Sequence, residues 1–283
     1  MRIAYFPGCS LHGTARDYGE SVVACCRALG VELVEVPDWV CCGASTAPTL
    51  SHRLAVGLGA INLAQAAQVG DAVLAPCAAC YNRLKMAGCA AQTEPKLLDG
   101  LEGVEAEKVA AVRVYSMPEF LVERYGLDAL REKVTRPLAG LHPAAYYGCL
   151  LVRPPDVCQF DDPEQPHSMD DILRALGGEP VVWYNKTDCC GGMLSPTRTE
   201  VVSALTQRLV ERARQAGADC LVTACPMCHM NVESRQAACR DGRLPTFYLT
   251  DMVGLALGLR PEELGLKRHL VDTLPLLQAA GLA

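Results

Sequence analysis

The sequence lacks the features that would place it in a membrane, in a secretory pathway or on a nucleic acid. Its 283 residues contain no window of about 20 apolar residues free of charges and helix breakers, which argues against a transmembrane helix. The first residues lack the basic segment and long apolar run of a signal peptide, so we expect a cytoplasmic protein without membrane insertion. Basic residues are not in excess either: the net charge is −6, which argues against broad nucleic-acid binding.

Nucleotide-binding signatures are also missing. The segment VGLGAIN (56–62) contains two close glycines, but it lacks the G-x-G-x-x-G pattern and lies within a predicted helix. No flavin, nicotinamide or P-loop signature is present. A redox protein with this sequence would therefore depend on a partner for its electrons.

Cysteine, in contrast, is abundant, at 16 residues. In a reducing compartment so many thiols favour metal or redox sites over disulfides. Two adjacent pairs, Cys41-Cys42 and Cys189-Cys190, are each followed by a glycine. The chemistry of this protein therefore has to account for neighbouring thiols, and for their occurring twice.

The chain consists of two copies of one unit. RALG, a strand-like run and CCG follow one another at 27–43 and again at 174–191. A short apolar run leads into C-x-x-C at 70–80 and again at 218–228. Internal similarity of this kind predicts a duplicated fold.

The two copies meet near 135–143, which predicts a first domain at 1–138 and a second at 139–283. Each copy alternates strands with amphipathic helices, so we predict an α/β protein of two similar Rossmann-like or flavodoxin-like halves with parallel sheets. In the second copy, Thr197 and Glu200 fit a capping box that would open a helix reaching about Gly217. In the first copy the predicted strands are 2–6, 31–36, 72–75 and 112–116, and the predicted helices are 15–30, 51–70, one after C-x-x-C, and 118–126.

Five cysteines of each copy follow predicted strands. The carboxyl ends of parallel strands form the edge at which such sheets bind ligands, so these cysteines are expected to converge. They are Cys9, Cys41, Cys42, Cys77 and Cys80 in the first copy, and Cys149, Cys189, Cys190, Cys225 and Cys228 in the second.

Three chemical explanations compete for the adjacent thiols. A vicinal disulfide is strained, because neighbouring Cα atoms lie only about 3.8 Å apart. Structural zinc takes four ligands, which leaves one cysteine spare in each copy. An iron–sulfur cluster offers several irons to neighbouring thiolates, but the C-x2-C-x2-C run of many cubane clusters is missing. Five ligands therefore favour an unusual, open iron–sulfur cluster, with zinc in one motif as a minor alternative.

The spacing resembles the doubled CCG motif in the B subunit of heterodisulfide reductase. Between the first cysteine and the pair lie 31 residues in the first copy and 39 in the second; 34 separate each pair from C-x-x-C. YFPGCSL, DWVCCGA, YYGCLLVRPP, CCGG and CPMCHMN match that family's signatures over nearly the whole chain. The resemblance implies two noncubane [4Fe-4S] clusters, each held by the five cysteines of one copy.

The resemblance also implies a function. The chain would be the catalytic subunit of a heterodisulfide reductase-like complex, a disulfide oxidoreductase that reduces a disulfide, or oxidises thiols, between the two clusters. One cluster would serve each sulfur. The implied partners are a ferredoxin-like iron–sulfur subunit of the C type and a flavin-bearing subunit of the A type, with a small disulfide or thiol as substrate.

Two other functions compete with disulfide chemistry. CCG domains also occur in iron–sulfur electron-transfer subunits of quinone- or flavin-linked oxidoreductases of the lactate, glycolate or fumarate type. Such a subunit relays electrons without binding a disulfide. A zinc-stabilised assembly subunit is the third possibility.

A few residues near the cysteines are further candidates. His12 and His229 lie within three residues of a motif cysteine and are candidate proton donors, with a structural histidine as the alternative. Arg153 and Lys186 are candidate anchors for an anionic thiol substrate, with solvated surface charge as the alternative.

The remaining cysteines are predicted not to be ligands. Cys158 lies in an extra loop of the second copy, 153–171, and is interpreted as a bystander more readily than as a redox thiol. Free cysteines on helices or beside buried strands pack as small hydrophobes. This set comprises Cys25, Cys26, Cys89, Cys220 and Cys239.

Overall fold

The protein forms two parallel β-sheets flanked by helices. The computed structural model describes residues 1–44, 46–236, 239 and 242–283. The first sheet has the strand order β2-β1-β3-β4, which is the order of flavodoxin-like sheets, and the second has the order β5-β6-β7. The strands are β1 (Arg2–Tyr5), β2 (Glu32–Glu35), β3 (Ala72–Leu74), β4 (Arg113–Tyr115), β5 (Pro143–Tyr146), β6 (Cys220–Thr223) and β7 (Thr246–Tyr248).

Every strand pairs in parallel with its neighbours, as the alternation of strands and helices predicts. β3, β5, β6 and β7 are buried along their whole length, which suits strands covered on both faces. Each sheet lies within one of the predicted domains, so we call 1–138 the first half and 139–283 the second half. The boundary between the domains stays a prediction.

Helices connect the strands and cover the sheets. In the first half they are α1 (Gly8–His12), α2 (Arg16–Ala28), α3 (Thr46–Leu50), α4 (His52–Ala67), α5 (Ala78–Thr93), α6 (Ala106–Ala111), α7 (Met117–Glu119), continued by a π-helix at Phe120–Tyr125, and α8 (Leu127–Glu132). In the second half they are α9 (Pro155–Cys158), α10 (Ser168–Ala175), α11 (Thr199–Gln215), α12 (Pro226–Ser234), α13 (Leu249–Ala256) and α14 (Leu274–Ala279). Short 3₁₀ segments lie at Pro95–Leu98, Gly192–Leu194 and Leu266–Arg268.

The strand-like run before the second CCG does not form a strand. The segment still runs beside β5, since the N–H of Glu179 donates to Leu141 O at 2.9 Å and that of Val181 to Pro143 O at 3.0 Å. Pro143 has no N–H to donate back to this segment. The carbonyl of Ala145 accepts its hydrogen bond from the indole N–H of Trp183, at 3.0 Å. The ladder is therefore incomplete, and the second sheet has three strands.

The capping box predicted at Thr197 and Glu200 is wrong. α11 begins at Thr199, with Arg198 as its N-cap residue and without a side-chain cap. The N–H of Thr197 instead donates to Leu194 O at 3.1 Å. The turn that follows the second CCG therefore includes the residues that the pattern assigned to the helix start.

The two halves share one core. Ser21 on α2 donates to Asp251 Oδ1 on α13 at 2.5 Å, and both side chains are fully buried. Beside them the ring of Tyr18 stacks on that of Tyr248, with centroids 4.1 Å apart. The carboxyl edges of both sheets are thus held in a fixed relation by buried contacts.

Candidate functional site

The first cysteine set gathers at the carboxyl edge of the first sheet. Cys9 lies on α1 after β1, Cys41 and Cys42 lie in the loop after β2, Cys77 is the N-cap residue of α5, and Cys80 lies in the first turn of that helix. Cys9 and Cys41 have their Sγ atoms 4.0 Å apart, and those of Cys42 and Cys80 are 3.4 Å apart. Cys77 is hydrogen-bonded to Cys80. The charge of Cys42 also acts on Cys9, so the two groups of thiols lie close to each other.

The second cysteine set repeats this arrangement. Cys149 follows β5, Cys189 and Cys190 lie in the next loop, and Cys225 is the N-cap residue of α12, whose first turn carries Cys228. Hydrogen bonds join Cys149 to Cys189, Cys190 to Cys228 and Cys225 to Cys228. The thiol contacts are thus equivalent in the two halves.

A glycine before the first cysteine of each set leaves room for sulfur. Gly8 and Gly148 both have a φ of +65°, a left-handed conformation that glycine adopts readily. A Cβ at Gly8 would lie 2.7 Å from Cys80 Sγ, and one at Gly148 would lie 2.8 Å from Cys228 Sγ. The backbone therefore approaches the sulfurs more closely than any side chain would permit.

Hydrogen bonds between the thiols favour thiolate at selected positions. The contact with Cys80 lowers the pKa of Cys42 to about 7, and the pKa of Cys80 is raised well above its usual value. The contact with Cys228 likewise lowers the pKa of Cys190 to about 7. Thiolate is the form of cysteine that binds metals.

Backbone N–H groups also help to lower the pKa of Cys189. The hydrogen bond with Cys149 lowers the pKa of Cys189 to about 6, and the N–H of Gly191 donates to its Sγ at 3.3 Å. Five converging thiols, several stabilised as thiolate, form a donor set that suits soft metal centres such as iron–sulfur clusters.

Four of the six cysteines outside the two sets are buried, namely Cys25, Cys26, Cys158 and Cys220. Burial raises the pKa of Cys26 to about 12 and that of Cys158 to about 11. A raised pKa favours the protonated thiol, as expected of cysteines that pack as small hydrophobes. Their exclusion as ligands stays a prediction.

Side chains fix the loops that carry the adjacent cysteines. In the first half Asn62 on α4 accepts a hydrogen bond from Val40 N and donates one to Val40 O, both at 2.9 Å. In the second half the hydroxyl of Tyr146 donates to Asp188 O at 2.7 Å. The backbone that is held, at Val40 and Asp188, lies directly before each cysteine pair. The thiols therefore keep their positions although their loops have no regular secondary structure.

The two sets adjoin each other across the boundary between the halves. Asn82, two residues after Cys80, donates to Leu150 O at 3.2 Å and to Arg153 O at 2.8 Å. Leu150 in turn directly follows Cys149. A single side chain of the first half thus holds the backbone beside the second set.

The phenol of Tyr18 lies between the two cysteine sets. Its hydroxyl donates to Pro76 O at 3.2 Å, next to Cys77. Burial raises the pKa of Tyr18 well above its usual value, and the negative charges of Cys225 and Cys77 raise it further. The phenol is therefore close to thiols of both halves.

A cleft of about 220 Å³, here called the central cleft, opens between the two sets. Ala44 and Ala79 border it from the first set, and Leu150 and Met227 border it from the second. Among the described residues that line it, Arg83 is the one that carries a charge. The full lining is Ala44, Pro48, Thr49, Ala79, Arg83, Leu150, Met193 and Met227.

Arg83 was not among the predicted site residues. It is half-buried, burial lowers the pKa of its guanidinium, and the negative charge of Cys42 opposes that shift. The signal was present in the spacing, because Arg83 follows Cys80 by three residues on a helix and so lies on the same face. Its charge has no carboxylate partner within salt-bridge distance among the residues that the structure describes.

The two histidines proposed as proton donors lie outside the central cleft. His12 is exposed, with its Nε2 atom 3.5 Å from Glu35 and its ring edge against Trp39. His229 is buried, stacks on Tyr248 with centroids 3.9 Å apart, and has its Nε2 atom 3.2 Å from Glu233. Their assignment as proton donors stays a prediction, and the placement favours a structural role.

The two cations proposed as substrate anchors have partners within the protein. Arg153 donates to Thr187 Oγ1 at 3.0 Å and pairs with Glu164 at 2.8 Å. Lys186 is buried and pairs with Asp170 at 2.8 Å. Neither lines the central cleft, so Arg83 is better placed than either of them to meet a substrate there.

Among the described residues, no helix has both the length and the apolar character that crossing a bilayer requires.

Comparisons with known proteins agree with the duplicated architecture. The sequence matches the family described as "CCG: Cysteine-rich domain" over residues 3–85 and 144–233. A solved structure described as a hypothetical protein from Helicobacter pylori matches with a TM-score of 0.69 at 13% identity, covering 95% of this chain and 51% of that chain. That likeness shows the fold, and this chain spans about half of the other's length.

Named relatives cover nearly the whole chain. The 8-methylmenaquinol:fumarate reductase membrane anchor subunit of Wolinella succinogenes is 31% identical over 95% of this chain and 96% of its own. The B subunit of the ferredoxin/F(420)H(2)-dependent CoB-CoM heterodisulfide reductase of Methanosarcina acetivorans is 27% identical, over 98% and 96% respectively. Lactate utilization protein A of Macrococcus caseolyticus is 24% identical, over 83% and 89%. This chain belongs to the family of proteins with two CCG cysteine-rich domains that includes the B subunits of heterodisulfide reductases.

Proposed function

We propose that this chain is the catalytic subunit of a heterodisulfide reductase-like complex, which reduces a disulfide or oxidises thiols in the central cleft. The observation that carries the proposal is that the cleft is bordered by residues next to cysteines of both sets. Each set would hold one noncubane [4Fe-4S] cluster. The ligands would be Cys9, Cys41, Cys42, Cys77 and Cys80 for one cluster, and Cys149, Cys189, Cys190, Cys225 and Cys228 for the other.

The clusters, when bound, would supply the two electrons that a disulfide takes up with two protons to give two thiols. The chain's own residues provide the environment. The side chains of Ala79, Leu150 and Met227 surround an S–S bond with apolar groups and exclude water from it. Arg83 offers a half-buried guanidinium, which binds a carboxylate, sulfonate or phosphate of the substrate or the charge of a product thiolate.

Electrons would come from partner subunits, since the sequence carries no nucleotide signature. The proposed partners are the ferredoxin-like iron–sulfur subunit of the C type and the flavin-bearing subunit of the A type. The name of the Methanosarcina relative, which includes ferredoxin, supports an iron–sulfur donor. Met193 and Leu194, 60% and 40% exposed beside the second set, offer apolar surface for such a contact.

A variant in which the central cleft is blocked tests the proposal. Anaerobically purified protein should contain about eight irons with matching sulfide, and it should reduce a small disulfide with a reduced viologen dye. Thr49 lines the cleft from α3 and belongs to neither cysteine set, so Thr49→Trp should fill the cleft, abolish this turnover and leave iron unchanged. Leu50→Trp, at the exposed neighbouring position, is the matched control. Full turnover by Thr49→Trp would show that the chemistry occurs elsewhere.

The second candidate is a CCG-type electron-transfer subunit of a quinone- or flavin-linked oxidoreductase. The relative from Wolinella, named as a subunit of a fumarate reductase, favours it with 31% identity. On this hypothesis a fully loaded wild type would pass electrons between a dye and its partner but would reduce no disulfide. Thr49→Trp would then leave electron transfer unchanged.

A further inference from the structure

A second group of metal-ligating side chains lies at the junction of the two halves, apart from the ten motif cysteines. Asp17 on α2, His229 on α12 and His269 after the last 3₁₀ turn each direct one ligand atom to a common point. These three atoms all lie within 4.8 Å of one another. One ion could therefore reach all three.

His269 is oriented as a metal ligand. Its Nδ1 atom lies 3.0 Å from Thr246 O, so this nitrogen carries the proton and Nε2 presents a lone pair. The side chain is fully buried, and among the residues that the structure describes Nε2 has no hydrogen-bond partner. Metal-binding histidines are typically held in this way by a backbone carbonyl.

His229 likewise has a ring nitrogen that makes no hydrogen bond. Its side chain is 3% exposed, Nδ1 lies 3.5 Å from Thr223 Oγ1, and Nε2 has no partner with hydrogen-bond geometry. Glu233 lies 3.2 Å from that Nε2 and is itself fixed by the N–H groups of Leu270 and Val271, at 3.0 and 3.3 Å. Both Nε2 atoms thus lack a hydrogen bond of good geometry and face carboxylates, at 3.2 Å for His229 and at 3.7–3.8 Å for His269, and an ion between them would bind both.

Three carboxyl groups surround the two histidines. Asp17, Glu233 and Asp251 all lie within about 4 Å of a histidine nitrogen of the group. Burial lowers the pKa of His269 to about 4, which keeps that ring neutral. The nearby Arg268 is paired with Glu20 at 2.6 Å. A cavity of about 390 Å³, lined by Asp17, His229 and Glu233, reaches this point and offers an entry path.

We propose that Asp17, His229 and His269 bind a divalent transition-metal ion, with Zn²⁺ as the expected occupant. Two imidazoles and a carboxylate suit zinc, and Glu233 lies within reach as a fourth ligand. The ion would join α2 of the first half to α12 of the second. Because His229 directly follows Cys228, it would also fix the helix that opens with the second C-x-x-C.

The coordination shell of zinc tests this proposal independently of any activity. Full-length protein, purified anaerobically with its iron and then supplied with Zn²⁺, should retain about one zinc per chain. X-ray absorption at the zinc edge should show nitrogen and oxygen at about 2.0–2.2 Å and no sulfur at about 2.3 Å. No retained zinc, or a shell of sulfur alone, would overturn the proposal, because sulfur would place the ion in a cysteine set.

Variants locate the ion. His269→Ala should lose the zinc while iron and sulfide stay unchanged. Asp17→Asn changes least in shape and decides the matter if His269→Ala does not fold. His52→Ala removes an exposed histidine that faces Glu94 at 3.4 Å, so this control should keep the zinc. Zinc retained at wild-type level by Asp17→Asn, with an unchanged nitrogen and oxygen shell, would contradict the assigned ligands.

Discussion

The two cysteine sets share a backbone frame but differ in the side chain that faces the second cysteine of each pair. In the first half the hydrogen bond with Cys80 lowers the pKa of Cys42 most, and the positive charge of Arg83, three residues after Cys80, lowers it further. In the second half Asn231, three residues after Cys228, donates to Cys190 Sγ at 3.5 Å. A cation and a neutral amide thus occupy equivalent positions. Duplication has preserved the thiol positions and allowed their electrostatic surroundings to diverge.

The position directly after each C-x-x-C has diverged as well. In the first half it is Tyr81, which is fully buried and has its hydroxyl 3.5 Å from Cys158 O in the extra loop of the second half. In the second half it is His229, which joins the histidine group at the junction. The first half thus contacts the other half directly through this position, whereas in the second half the same position lies near Asp17 of the first half.

The largest effect should come from removing a ligand from one set alone. Cys42→Ala should lower the iron content from about eight to about four per chain, because the first set loses a ligand while the second stays complete. Disulfide turnover should fall to background, since it needs both sets. Iron analysis and the dye assay measure this. Cys158→Ala is the control, and full iron in Cys42→Ala would refute the ligand assignment.

Crowding the glycine before a set should have the next largest effect. Gly8→Ala places a Cβ 2.7 Å from Cys80 Sγ, so the first set should lose its iron while the second keeps it. Gly30→Ala is the control, because Gly30 has a similar φ of +74° and open space around it. The control should cost about 1–2 kcal/mol of stability through backbone strain, with no loss of iron. Equal iron loss in both variants would mean that strain, not crowding, is responsible.

Exchanging the cation for an amide should remove the main electrostatic difference between the sets. Arg83→Asn should raise KM for an anionic disulfide roughly tenfold, which corresponds to the loss of about 1.4 kcal/mol from a charge-assisted contact. Iron content should not change. Steady-state kinetics with an anionic and an uncharged disulfide measure the effect, with the exposed Arg212→Asn as the control. An equal change for both disulfides would exclude a charge effect.

The smallest effect concerns the extra loop that only the second half possesses. The hydrogen bond to Asp171, with Nδ1 and Oδ2 2.7 Å apart, raises the pKa of His167. The pKa of His167 is higher in the folded than in the unfolded protein. The pair therefore stabilises the fold fully below the unfolded pKa, and this stabilisation is lost as pH rises through the folded pKa. Amide exchange in the first turn of α10 should therefore accelerate slightly as pH rises past neutrality, after correction for the intrinsic rate. His167→Gln should abolish that dependence, and its persistence would exclude this pair as the cause.

Much of this architecture could be predicted from the sequence. The repeated spacing places ten cysteines at strand ends, and parallel pairing then brings each five together. Strand pairing itself depends on more than the pattern: the run at 181–184 is apolar enough for a strand, yet Pro143 on the adjacent strand cannot complete the ladder. The capping box failed for a related reason, because the turn after the second CCG takes up Thr197.

The central cleft could not be predicted, because it is a product of how the halves pack. Nothing local indicates that Leu150 would face Ala79, or that Asn82 would hold the backbone beside Cys149. Arg153 and Lys186 lie near cysteines in sequence, but partners such as Glu164 and Asp170, distant along the chain, neutralise them. Sequence proximity to a cysteine is therefore a poor guide to which charges remain free to meet a ligand.

The buried phenol of Tyr18 also lowers the local dielectric between the two thiol sets. No water or salt ion can enter a fully buried phenol that lies between the two thiol sets, so charge on one side is weakly screened from the other. If each set holds one cluster, as proposed, the two clusters should repel like charge. They should then accept electrons one after the other, with their midpoint potentials spread apart, even though the backbone around the two sets is nearly the same.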